Sequence, residues 1–394
     1  MRKPRSRSDT RTAVLGHIWC QSGSFRTHIS RNVGLTEASV SRIIAELKAE
    51  GVIEESRRIA PYQGGPSAFL TLSKSIYVAA LEVSNSRIHV AVGSLGGDIV
   101  FSEHHSLPDG ADAGAVEATI GVAITDLARW VQRRDVVIDQ AAVSIPGFHS
   151  GQTVNPIIAL DAARLLQRLT QALPGVPVTV ANSMVTRAVA YRLHEANKIR
   201  TDPYLFVYTG HGVGAAFVED FADGGSVEAC ELGHMVVEPK GNLCRCGHRG
   251  CLETLLSSAA LADVLGVAEA DLIARGDQWI HEFRISAKAK RDIGERLFRL
   301  GLAIGNALNV SRSNRVVVTG WTGALPEEDR ALLLDAIGQA LLGGAAHIEL
   351  TLAPANFGRE PATGLALASH SFVRRGGARA TAPDEVLTTE DARE

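Results

Sequence analysis

At 394 residues, with 45% apolar and 21% charged positions, the chain is long enough for two or three domains and has the composition of a globular protein with large cores. No apolar run reaches the length of a bilayer span, and the start MRKPRSRSDT has no hydrophobic leader stretch; a cytoplasmic protein with reduced cysteines and no membrane partner is expected. The net charge of −3 hides an asymmetry: residues 1–74 hold 12 Lys+Arg against 6 Asp+Glu, net +6, and the remainder is net −9, which directs only the first part toward a polyanion.

In chain order, residues 1–10 are basic and polar. Helical spacing follows at Val14 and Ile18, around Ile29, and at Val40, Ile43, Ile44 and Leu47. A helix-turn-helix needs a small residue on its first helix, a glycine in the turn and apolar residues locking the second helix. Ser30, Gly34, Val40 and Ile43 stand at those offsets, Gly34 admitting the positive φ of the turn. Thr36 can cap the second helix. With Val40, Ile43 and Leu47 inward, the residues Thr36, Glu37, Ala38, Ser41 and Arg42 face outward, where a major groove would be met. Pro61–Ser67 and the alternating Phe69–Leu72 read as a wing. From Ile76 the texture changes to strands, at Ile76–Val83, Arg87–Val92, Asp98–Ser102, Ala141–Ile145, Val178–Val180, Leu205–Tyr208, Ala215–Val218 and Val316–Thr319, separated by Ala/Leu-rich helical stretches. That alternation is α/β. Residues 375–394, rich in Gly, Ala, Thr and acids, read as a flexible tail.

The most specific stretch is CELGHMVVEPKGNLCRCGHRGCLE, Cys230–Glu253. Three soft thiolates, Cys244, Cys246 and Cys251, and one imidazole, His234, have the composition of a closed tetrahedral Zn2+ site. Gly247 and Gly250 let a short loop wrap an ion, and Cys-x-Cys is too close for an easy disulfide. Cys20 and Cys230 are surplus and expected to be buried.

The run Leu205 to Gly214 (LFVYTGHGVG), followed by Glu231-Leu232-Gly233-His234 and by Cys244-x-Cys246-Gly-x-x-Gly250-Cys251-Leu-Glu253, resembles the ROK family of repressors, open reading frames and sugar kinases. The N-terminal helix-turn-helix and Gly64-Gly65-Pro66 resemble its repressor branch. The resemblance implies a winged helix-turn-helix over 1–75 followed by a two-lobed actin-like body, with lobes at 76–182 and 183–374 and a late helix packing back. It also implies zinc on His234, Cys244, Cys246 and Cys251, and a sugar or sugar derivative facing Asn182, Glu231, His234 and Glu253. Double-stranded operator DNA and a second copy of the chain, as a homodimer or dimer of dimers, are the other implied partners.

Two departures from the family's kinases imply no enzyme. A ROK kinase places its general base, an Asp, directly after the Asn; here the pair is Asn182-Ser183, and an unaided serine is no base near neutral pH. The family's first phosphate loop, Asp-x-Gly-Gly-Thr, reads Glu82-Val83-Ser84-Asn85-Ser86, without the glycines that allow backbone to close on a phosphate. The second loop, Gly210-His211-Gly212-Val213-Gly214, keeps its glycines but is a weak signal alone. In the wing, Gly65 runs straight into Pro66 without the arginine of the family's Gly-Gly-Arg-Pro, leaving Arg57 or Arg58 as substitutes. The rival readings are a bifunctional sugar kinase and a regulator controlled by a protein partner.

Overall fold

The computed structural model describes residues 7–59, 66–108, 110–149, 152–153, 158–194, 202–219, 226–274, 279–280, 287–311, 313–353, 361–379 and 387–388. The chain forms two compact units, residues 1–201, 220–225 and 357–394 in one and residues 202–219 and 226–356 in the other.

The first unit begins with α1 (Arg7–Cys20), β1 (Ser24–Phe25), α2 (Arg26–Val33), α3 (Glu37–Ala49), β2 (Ile53–Ile59) and β3 (Pro66–Leu72), the strands forming an antiparallel sheet in the order β1-β3-β2. Gly34 ends α2 in the left-handed conformation at φ 68°, its N–H donating to Ser30 O; a side chain there would be strained. Two residues on, Thr36 caps α3 by accepting the Ser39 N–H at 3.2 Å. Val40, Ile43, Ile44 and Leu47 are buried at helical spacing, and with Ile29 and Val33 of α2 they close a small core. The expected wing turn falls on residues 60–65, outside the described residues.

The rest of the first unit is a six-stranded sheet with β4 (Tyr77–Val83), β5 (Arg87–Ser94), β6 (Ile99–Ser106), β7 (Ile138–Ile145), β10 (Val178–Asn182) and β16 (Leu387–Thr388), ordered β16-β10-β7-β4-β5-β6. A two-residue hairpin, β8 (Phe148–His149) with β9 (Gln152–Thr153), follows β7. The β4-β5-β6 stretch is antiparallel, and β4-β7-β10-β16 is parallel. β7 is buried along its whole length, as a parallel strand with both faces covered must be. On one face α4 (Ala113–Arg134) and α5 (Ala162–Ala172), capped by Asp112 and Asp161, set Ile120, Leu127, Leu165 and Leu169 against Leu81, Val90 and Val143.

Two further helices, α6 (Ser183–His194) and α12 (Ala362–Arg374), pack on each other, and α12 lies on β4 and β7. This corrects the expected lobe boundaries. Residues 183–194 and 362–374 belong to the first unit because its sheet needs them as cover. The N-terminal module is not set apart by contacts either, since α1 packs on α12. The expected flexible tail from 375 is also corrected in its first part. Arg379 makes a two-pronged ion pair with the buried Asp139 at 2.9 and 3.0 Å, Arg375 donates to Gln140 Oε1 at 2.9 Å, and Leu387–Thr388 add a parallel strand to β10.

The second unit has β11 (Tyr204–Thr209), β12 (Val213–Val218), β13 (Val227–Cys230), β14 (Arg315–Gly320) and β15 (Glu349–Leu352), ordered β13-β12-β11-β14-β15, with the first three antiparallel and the last three parallel. Its helices are α7 (Glu253–Leu256), α8 (Ser258–Leu265), α9 (Glu269–Ala274), α10 (Ala287–Ser311) and α11 (Glu327–Ala340). Leu297, Leu300 and Ile304 of α10, with Leu333 and Ile337 of α11, pack on Leu205, Val207, Val316 and Val318. Both units thus build five strands on one plan, two antiparallel neighbours beside the first strand on one side and two parallel ones on the other.

Candidate metal centre and ligand-facing residues

The segment after β13 is held by its own backbone. A short turn, Leu232–His234, leaves the strand, and single bridges pair Val236 with Cys251 and Leu243 with Arg249. Cys244 N–H donates to His248 O at 2.7 Å, and Gly247 N–H returns to Cys244 O at 3.0 Å, closing a knuckle around Cys244 and Cys246. Gly250 has φ 73°, and a Cβ there would sit 1.5 Å from Glu238 O, so only glycine brings Cys251 back to the knuckle.

The result is one cluster: the donor atoms of His234, Cys244, Cys246 and Cys251 all lie within 4.8 Å of one another. His234 Nδ1 is 3.6 Å from Cys244 Sγ, and Cys246 Sγ is 3.6 Å from Cys251 Sγ. Four donors about 2.3 Å from a central ion in a tetrahedron stand roughly 3.8 Å apart, so the spacing and the donor chemistry both fit a metal ion. Burial pushes the Cys251 thiol up to about 12 and raises that of Cys244. Without a cation Cys244 and Cys251 are therefore held as thiols. At Cys246 burial is outweighed by hydrogen bonds from His248 and the neighbouring thiols, which hold it down at about 6. A dication would favour the thiolate at all three. Cys230 stands outside the cluster, its thiol pushed up to about 12 by burial and the Glu231 carboxylate. Cys20 is buried in α1.

Around the cluster, His234 turns Nδ1 to the sulfurs and Nε2 toward Glu231 Oε2, at 3.8 Å. Glu253, at the start of α7, instead accepts the Val213 N–H through Oε2 at 3.2 Å, placing its carboxylate on the Gly210–Gly214 loop. Asn182 belongs to the first unit, where it is buried at the end of β10. Its Oδ1 accepts the Met184 N–H at 2.8 Å and its carbonyl accepts from Thr186 Oγ1 at 3.2 Å, so it caps α6. Thr36, Glu37, Ala38, Ser41 and Arg42 all lie on the exposed side of α3.

Sequence reading missed a cluster beside the second loop. Ser258 Oγ donates to Glu269 Oε1 at 2.5 Å, Ser258 N–H donates to Gly210 O at 2.7 Å, and His211 Nδ1 lies 3.9 Å from Glu269 Oε1. No local pattern links positions 58 residues apart in the chain, and that distance hid the cluster. It also missed the use of Glu82, which is buried and accepts from Thr363 Oγ1 at 2.6 Å and from Gly364 N–H at 2.9 Å.

A profile of the ROK family matches residues 78–367. The xylose repressor of Caldicellulosiruptor bescii is 23% identical over 313 residues, covering 74% of this chain and 78% of the repressor. Among solved structures, a ROK family transcriptional regulator described as a homologue of Escherichia coli Mlc superposes with a TM-score of 0.66 at 21% identity, over 93% of this chain and 98% of its own. The ROK hexokinase of Thermus thermophilus gives 0.55 at 21% identity, over 77% of this chain and 100% of its own. At these identities the two solved structures share a fold with this chain.

Proposed function

The chain belongs to the ROK family, and from that premise we propose that it is a sugar-responsive DNA-binding transcriptional repressor of carbohydrate genes rather than a kinase. The observation that carries the reading is the N-terminal module. A net +6 segment folds as three helices against a three-stranded sheet, which supports a winged helix-turn-helix. Its α3 offers Thr36, Glu37, Ser41 and Arg42 to solvent while Val40, Ile43 and Leu47 lock it from behind. Arg58 is stacked 4.0 Å over the Phe69 ring, which leaves Arg57 as the freer substitute for the missing wing arginine. Two such modules on a homodimer or dimer of dimers would read paired half-sites.

His234, Cys244, Cys246 and Cys251 would hold one Zn2+, whose part is to cross-link the knuckle to the turn after β13. The effector is a sugar or sugar derivative, for which Glu231, His234 and Glu253 of the second unit are proposed ligands, and Asn182 of the first unit is proposed separately. Carboxylate, imidazole and amide groups suit vicinal hydroxyls, and a ligand that binds one conformation better shifts DNA affinity by that difference. Against phosphate transfer stand Ser183 in place of a base, a glycine-free turn at Ser84–Ser86, and a second loop whose Val213 N–H is already given to the Glu253 carboxylate. The resulting cytoplasmic regulator agrees with the absence, among described residues, of any helix long and apolar enough to cross a membrane.

The test uses full-length protein to select binders from random duplex DNA, followed by a panel of sugars and sugar phosphates against the selected sequence. An enriched, two-fold symmetric sequence released by at least one sugar is expected. Failure of any sequence to enrich would overturn the regulator reading, and release by no sugar would overturn the effector. Glu253→Ala should lose sugar binding with zinc content unchanged.

A further inference from the structure

We infer that Glu82 is a positioning residue for the N-terminal module, acting on it through α12 as a rigid strut. The motif position it fills belongs, by resemblance, to the Asp of a kinase phosphate loop. Here the longer carboxylate points into the protein, buried at 5% exposure, and grips the first turn of α12 through Thr363 Oγ1 and Gly364 N–H. That is where a helix has unpaired N–H groups and the positive end of its dipole. Pro361, the residue before the helix, supplies no side-chain cap of its own. The packing leaves the helix little freedom at this end: a Cβ on Gly364 would come within 2.8 Å of Ala80 Cβ, Glu82 Cγ and Glu82 Oε1.

The far end of α12, about 20 Å away at 1.5 Å per residue, carries the N-terminal module. The Trp19 ring of α1 lies 5.3 Å from the His370 ring. Arg11 Nε donates to Gly376 O at 2.5 Å, and Thr12 Oγ1 to Arg374 O at 3.5 Å. Gly377, just past the helix, fits beside Leu15 and Val52. Between the two ends the helix is buried at Thr363 through Ser369 and at Ser371, Phe372 and Val373. A close-packed helix does not bend smoothly but moves as a body. A buried carboxylate stripped of its donors is costly, so any shift of α12 along its axis is resisted at Glu82. The same pair of hydrogen bonds that fixes α12 on β4 therefore fixes where α1 lies.

The consequence for DNA affinity rests on the regulator reading, but the strut itself is tested without DNA. Amide hydrogen exchange is followed on the full chain for the parent, for Glu82→Gln, which keeps the length and removes the charge, and for Glu82→Asp, which keeps the charge and removes the reach. Exchange should rise about tenfold or more in the first turn of α12 and equally over residues 13–20 of α1 in both variants, the loss expected for a charge-assisted hydrogen bond. Exchange in α4, on the other face of the sheet, should stay within twofold. A rise confined to the first turn of α12 would make Glu82 a local cap and sink the proposal. So would an equal rise in α4, which would mark a general loss of stability. Because no nucleic acid is present, failure of the regulator reading would leave this outcome untouched.

Discussion

The turn between first and second strands occurs twice on the same five-strand plan, and the two copies differ in glycine content and in what their N–H groups hold. In the first unit the β4–β5 turn, Ser84-Asn85-Ser86, has no glycine and no positive φ. It is a plain hairpin closed by Ser84 N–H donating to Arg87 O at 3.0 Å, and the carboxylate before it serves α12. In the second unit the β11–β12 turn keeps Gly210, Gly212 and Gly214, likewise without a positive φ, and Gly210 N–H donates to Gly212 O at 2.9 Å. There an internal carboxylate, Glu253, accepts the Val213 N–H at 3.2 Å. The first turn has lost the geometry for an anion. The second keeps its glycines, but its Val213 N–H is already held by Glu253. The difference teaches that glycine content alone does not measure anion binding; what the loop N–H groups already hold also decides it.

The metal cluster should break the symmetry most strongly, because only the second turn depends on it. Glu253 is two residues from Cys251, so the knuckle that gathers the sulfurs also delivers the carboxylate to Val213. Metal analysis should find one zinc per chain, and Cys244→Ser with Cys246→Ser should abolish it. The destabilisation is a large part of the roughly 10–16 kcal/mol that a structural zinc contributes to small zinc domains. Amide exchange should accelerate around residues 210–214 and stay unchanged around residues 84–87. Equal acceleration at both would show that the two turns are not independently supported.

Acid should act in the opposite direction, loosening the first unit through two buried histidines. Burial, aided by His28 and Arg192, holds His17 down at about 4; burial and Arg374 hold His370 at about 3. Both are depressed below an unfolded value near 6.5, so each is neutral in the fold while the unfolded chain takes up a proton. Stability is fully present above about pH 6.5 and falls as pH drops toward the folded values. Between pH 7 and pH 5 each histidine should cost about 2 kcal/mol. Exchange of α12 amides at the two pH values measures the sum, and His370→Phe should remove about half of it. A flat response would mean these rings are not held neutral.

A smaller and more local effect is expected outside both turns. Arg42→Ala should weaken binding to the selected DNA by on the order of 1–3 kcal/mol, the range for one well-placed contact. Zinc content and exchange at both turns should not change. Unchanged binding across several salt concentrations would place another face of the module in the groove.

What could be read from sequence follows from range. The two helices around Gly34 and the knuckle are local: Gly34, Thr36 and the period of Val40, Ile43 and Leu47 state their geometry within twenty residues, and the Cys-x-Cys knuckle reaches His234 within ten. Both stand where their patterns put them. The α/β class was legible from the strand runs. The lobe boundaries were not, because α6 and α12 join the first unit through packing that leaves no trace in their own periodicity. Nor was the second life of Glu82, whose partners Thr363 and Gly364 stand 281 and 282 residues away. A nearly all-buried helix such as α12 gives an apolar signal without naming its neighbours. The tail misled in the same way, since Arg379 finds Asp139 across 240 residues and a polar composition says nothing of such a pairing.

The smallest expected effect is none, and it tests the comparison most sharply. Ser183→Asp returns a carboxylate to the position after Asn182, where a ROK kinase would have its base. Ser183 is the first residue of α6, so an acidic side chain there favours the helix by about 0.3–1 kcal/mol, and the variant should fold at least as well as the parent. Phosphate transfer from ATP to any sugar that binds should nevertheless stay at background. A base can remove a proton from a hydroxyl, but the phosphoryl group must be held in line while charge builds on its oxygens. The first turn offers Ser84 and Asn85 side chains where backbone would have to approach, and the second presents Glu253, a negative charge that repels one. Turnover near 1 per second, an ordinary enzymatic rate, would show that the glycine-free turn still cradles phosphate and that Glu253 gives way. The two turns would then be dormant parts of a kinase rather than two distinct departures from one.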